Sequence, residues 1–223
     1  MAIDRQGIGL AIMRMCFGVF FIFEGLSKVL STIARDHKGV IFEGNGYSEE
    51  WHAEAARRGL PNNRTTVDAL PALLSKPARK VFAKFGVLTE RELESRSEIF
   101  WERYVKVGNI EANCALDIAR TMILPAAVRY LGELGEAGTS RGVATVKDRV
   151  AGLVDGLVDA MAGLEAAQHK AHKATDVKAE ARVVVDAVIP AQAALRTVAD
   201  ELETVVSDDL WPLPKYRELL FQY

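Results

Sequence analysis

His169 and His172 are the only closely spaced pair among four histidines, and their three-residue spacing would let two imidazoles on one helix face share a metal. Lys170 and Lys173 flank them and no neighbouring cysteine or acid completes a ligand set, so the pair is expected on a solvated helix face. Three acids stand in unusual surroundings. Glu24 directly follows an apolar run, Glu111 falls on an apolar helical stripe, and Asp117 lies in the same helix. A carboxylate buried at position 111 without a partner would be costly, so it is expected to meet Arg103, Arg120 or a subunit contact. Cys16 and Cys114 are far apart, each in an apolar run, and read as buried thiols of a reducing compartment. No Ser/His/Asp or Cys/His arrangement follows from spacing. No G-x-x-x-x-G-K-[ST] or G-x-G-x-x-G string marks a phosphate loop. The expected set of catalytic, cofactor-binding and metal-ligating residues is therefore empty.

The strongest element runs from Thr89 to Leu131. Thr89 and Glu92 have the spacing of a capping box, and Leu93, Phe100, Tyr104, Val107, Glu111, Ile118, Met122 and Pro125 then recur by sevens, fours and threes. So long a helix needs a partner for that stripe. The string GELGEAGTSRG after Leu131 reads as a linker. Beyond it, Val146, Val150, Leu153, Leu157, Ala160 and Leu164 keep heptad spacing, continued by Ala167, Ala171 and Ala174. The spacing resumes at Val177, Ala181, Val184, Val188, Ala191, Leu195, Val198, Leu202 and Val205 after a short turn near Thr175 and Asp176, which predicts an antiparallel hairpin. Pro125 and Pro190 are expected to kink their helices. The aromatic terminus around Trp211, Tyr216, Leu219, Leu220 and Phe221 is expected to dock, either on this bundle or on a neighbouring subunit.

Ahead of the long helix the elements are short. Gly39 to Glu43 reads as a brief strand, Ser48 caps a helix ending at Gly59, Thr65 or Thr66 opens another through Leu74, and Pro77 to Phe85 forms a third stopped by Gly86. The amino end differs: from Ile8 to Phe23 every residue but Arg14 is apolar or glycine, a run short of a full membrane span. Arg14, Gly18, Phe21, Gly25 and Lys28 form R-x-x-x-G-x-x-F-x-x-x-G-x-x-K, which resembles the first membrane helix of the DoxX family. Residues 8–30 accordingly read as a buried helix or as a membrane-associated one. Elsewhere, 49% hydrophobic and 26% charged residues with a net charge of -2 exclude disorder and leave a nucleic-acid surface without support.

The strings DHKGVIFEGNGYSEEW, AARRGLPNNRTTVDALPALLS, FAKFGVLTERELESRSEIFWERYVK and NIEANCALDIARTMILPAAVRYL, with the closing DDLWPLPKYRELLF, resemble successive blocks of the carboxyl-terminal part of type III glutamine synthetases. The resemblance runs in order from about residue 31 to residue 223. It implies an ATP-dependent glutamate–ammonia ligase using magnesium or manganese, cytoplasmic and built from stacked rings, whose catalytic groups belong to an upstream region. This chain alone is then expected to bind no cofactor, to be inactive, and to be a fragment or a separately encoded carboxyl-terminal portion. Its partners would be copies of itself or the catalytic portion. The alternatives are a free-standing helical interaction protein or a membrane-tethered one. The expected fold is all-α: a long kinked helix packed with an antiparallel, coiled-coil-like hairpin, plus short amino-terminal helices. Its expected divisions are residues 1–30, an apolar helix; 31–88, short helices ending the catalytic region; and 89–223, the helical bundle.

Overall fold

The computed structural model describes residues 26–214 and 216–220 of the 223-residue chain. The whole apolar run from Ile8 to Phe23 with its Cys16, the DoxX-like motif apart from Lys28, and Glu24 lie outside the described residues, as does Phe221. Two compact units are present, Met1–Asn63 and Arg64–Tyr223. Among the described residues there is no strand, and no helix is long and apolar enough to cross a membrane.

In the first unit, residues 26–36 form helix α1, and α2 spans Glu49–Arg57. Gly39 to Glu43 is not a strand: Lys38–Val40 is a single 3-10 turn, and the carbonyls of Lys38, Gly39 and Ile41 accept from Arg58 Nη1 rather than from a neighbouring strand. Ser48 caps α2, its hydroxyl accepting from the Trp51 N–H, and Gly59 follows with φ 71°, a left-handed conformation that glycine adopts without strain.

The second unit begins with α3 (Thr66–Leu73), capped by Thr65, and α4 (Lys76–Phe85), capped by Ser75 and ended by Gly86. Helix α5 (Glu90–Ile118) opens on the capping box of Thr89 and Glu92. A π turn at Ala119–Ile123 joins α5 to α6 (Leu124–Glu136) without a break. The GELGE stretch continues that helix to Glu136, so the linker shrinks to Ala137–Ser140; glycine inside a helix weakens it without ending it when its neighbours keep the hydrogen bonds. Helix α7 (Arg141–His172) then leads through a short turn to α8 (Val177–Val183), a second π turn at Val184–Val188, and α9 (Ile189–Glu203). A final short helix α10 spans Tyr216–Leu220.

Both π turns sit just ahead of a helical proline. Proline lacks the N–H for the ordinary bond and its ring crowds the carbonyl four residues back. The ladder widens by one residue instead: Leu124 N–H donates to Ala119 O, and Ile189 N–H to Val184 O. The expected kinks at Pro125 and Pro190 take this form.

Helices α7 and α8–α9 form the antiparallel hairpin. Val150, Leu157, Leu164 and Ala171 on one arm, and Ala181, Val184, Val188, Leu195 and Leu202 on the other, are buried as the heptads require. Trp211 closes the end of this core, with Leu210 and Leu213 against it, whereas Leu219 and Leu220 stay exposed. Among the described residues the terminus thus docks on its own bundle through Trp211.

The long helix meets the hairpin through a face different from the expected stripe. Its buried residues are Leu93, Ser97, Trp101, Val105, Ala112 and Leu116, continued by Ala119 and Ile123. Phe100, Val107, Glu111 and Pro125 are exposed, and Tyr104, Ile118 and Met122 lie at the boundary. The reason is close approach. A Cβ on Gly108 would stand 2.9 Å from Val184 Cγ1, so Gly108 and nearby Ala112 occupy the close contact, while larger residues such as Trp101 and Leu116 are buried elsewhere along the same face.

Candidate functional site

The residues that sequence reasoning singled out for chemistry gather only in part. A cleft between α5 and α7 is lined by Asn113, Leu116, Asp117, Arg120, Glu165, Gln168, His169 and His172. Gln168 is buried and donates through Nε2 to Asn113 Oδ1 at 2.8 Å, which fixes its amide. Arg120 pairs with Glu165 across the two helices. His169 and His172 are exposed, as the solvated reading required, and Asp117 is exposed with its backbone carbonyl accepting from Thr121 Oγ1 at 2.7 Å.

Glu111 does not need the partner its supposed burial demanded. It is exposed, and Arg120 is committed to Glu165 instead. Its charge acts on Tyr104, whose hydroxyl is pushed above its usual value by burial first and by Glu111 second. Cys114 is exposed rather than buried, because the apolar run around it belongs to a helix whose buried face lies at Ala112 and Leu116.

A tighter polar cluster lies in the first unit, where nothing in the sequence analysis marked it. The Glu54 carboxylate accepts from Arg57 Nε and Nη2 and from Arg58 Nε, each at 2.6 Å. These bonds, led by that to Arg57, lower its pKa to about 2. Arg58 stands 5.4 Å from the Trp51 ring centroid, and Trp51 stacks on Phe42 at 4.6 Å. The signal available was the spacing of Glu54 to Arg57 and Arg58, three and four residues on, which places all three on one helix face. Arg58 bonds both Glu54 of α2 and the carbonyls of Lys38, Gly39 and Ile41, so the cluster holds the loop from Lys38 to Phe42 against α2.

No three His, Cys, Asp or Glu side chains converge as metal ligands would among the described residues, and Glu165, the acid beside the two histidines, is held by Arg120. The chemistry available in the α5–α7 cleft is helix-to-helix hydrogen bonding and charge pairing.

Comparison with known proteins matches this scaffold. A family model described as the glutamine synthetase C-terminal domain matches residues 25–141. A protein of Dictyostelium discoideum named type-3 glutamine synthetase is 32% identical over 209 residues, covering 87% of this chain and 28% of the relative. A glutamine synthetase of Bacteroides fragilis is 32% identical, covering 89% of this chain and 29% of the relative. One of Butyrivibrio fibrisolvens is 30% identical, covering 89% and 30%. The chain thus spans between a quarter and a third of the length of these relatives.

Proposed function

Since the chain belongs to the glutamine synthetase C-terminal domain family, with a type-3 enzyme among its relatives, we propose that it is the packing and assembly domain of an ATP-dependent glutamate–ammonia ligase. In this reading it works in the cytoplasm and in nitrogen assimilation, and it supplies no catalytic group. The catalytic portion, with its nucleotide and magnesium or manganese, is a separate region that this domain holds in a homo-oligomer. The observation that carries the reading is the match of 87–89% of this chain to 28–30% of named glutamine synthetases. A core built from apolar helix faces, with its polar side chains spent on structural contacts, supports it.

The test is domain exchange in the Bacteroides fragilis relative. Removing its matching region is expected to abolish assembly and glutamine formation, and grafting this chain in its place to restore both in part. A truncated relative that assembles and turns over like the intact enzyme would overturn the assembly role.

A further inference from the structure

The long helix α5 carries two apolar stripes, and only one is used. Opposite the buried face, Phe100, Arg103, Val107, Ile110 and Cys114 follow one another by three and four residues, the spacing of a coiled-coil seam. All five are exposed: Phe100 by 41%, Val107 by 43% and Ile110 by 61%, with Ile99 beside them at 56%. A solvent-facing helix side ordinarily carries charges at such positions. Next to this seam lies a groove lined by Thr66 and Leu70 of α3 and by Phe100, Arg103, Tyr104 and Val107 of α5, concave and apolar enough to accept a side chain from outside.

From this we propose that the outward face of α5 is a pairing surface for the same face of a second copy of this chain, with the two helices antiparallel. Charge selects both the partner and the direction. On and beside the seam, Arg96 and Arg103 occupy the amino half, where Glu92 is spent on the Thr89 cap, while Glu111 and Asp117 occupy the carboxyl half. Among the described residues neither Arg103 nor Glu111 makes an ion pair within its own chain. Antiparallel pairing brings the arginine half of one helix against the acidic half of the other, whereas parallel pairing sets like against like. A two-fold arrangement uses each feature twice. The groove beside Phe100 of each copy receives a side chain of the other, and Arg103 approaches Glu111 of the partner subunit at two symmetric places. Position 111, a carboxylate on an otherwise apolar stripe, acquires a role that burial within one chain does not supply.

The experiment is sedimentation velocity on the full chain over a wide concentration range. The expected result is a reversible dimer that Ile110→Glu or Val107→Glu dissociates while melting of the chain is unchanged, since both positions are exposed. Val158→Glu, an exposed apolar position on α7, serves as the control and should leave association intact. Arg103→Glu and Glu111→Arg should each weaken the dimer by roughly tenfold, and the double reversal should restore it. A chain that stays monomeric throughout overturns the pairing. So does association indifferent to Ile110→Glu, which would place the contact elsewhere, or a double reversal that restores nothing. Because association is read without catalysis, failure of this pairing leaves the ligase reading standing.

Discussion

Gly108 marks where two helices touch most closely. The Cβ of Gly108→Ala would meet Val184 Cγ1 at 2.9 Å, and Val184 is fully buried with no room to withdraw. Alanine improves helix propensity by up to ~1 kcal/mol, but overpacking costs about 1–3 kcal/mol, so the variant should be less stable on balance. Adding Val184→Ala should recover part of the loss; a Gly108→Ala melt at or above that of the parent would show that the backbones are further apart. Glu54 offers a second check. Its folded pKa of about 2 lies below the ordinary value of 4.5 for a glutamate. A depressed carboxylate contributes stability above its unfolded pKa and loses it as pH falls through the folded one. The contribution should therefore fade between pH 4.5 and 2, and Glu54→Gln should flatten that part of the stability curve. Asp68, Glu92 and Asp176 are lowered too and also add to acid sensitivity, so the difference between parent and variant is the quantity to measure. Equal slopes for both proteins would contradict the cluster.

At the scale of elements, the hairpin was legible because its seam uses large aliphatic residues at regular spacing, and the caps because Ser48, Thr65 and Thr89 bond their own helix starts. Leu157→Asp or Leu195→Asp buries an unpaired carboxylate and should cost on the order of 3 kcal/mol or more, whereas exposed Lys170→Asp should be near neutral. Thermal melts of the three decide it, and equal shifts would mean the heptad phase is wrong. The face of α5 was not legible. Apolar periodicity ranks Phe100 and Val107 above Ser97 and Ala112, but a contact with Gly108 near its centre rewards small size. Hydrophobicity found a real stripe on the wrong side of the helix. The π turns were equally hidden, since a proline announces a disturbed ladder and leaves open how the chain absorbs it.

For the whole molecule, the family was legible from the order of its unusual strings. The Glu54 cluster had the spacing to Arg57 and Arg58 as its signal, but the arginine-to-carbonyl contacts with Lys38, Gly39 and Ile41 that complete it leave no trace in spacing. The central claim is that this chain packs and assembles but does not catalyse. It is tested most directly by assaying the purified chain for glutamine formation with ATP, glutamate, ammonia and magnesium or manganese. The account predicts a rate equal to the buffer control; turnover above it that persists through further purification would contradict it.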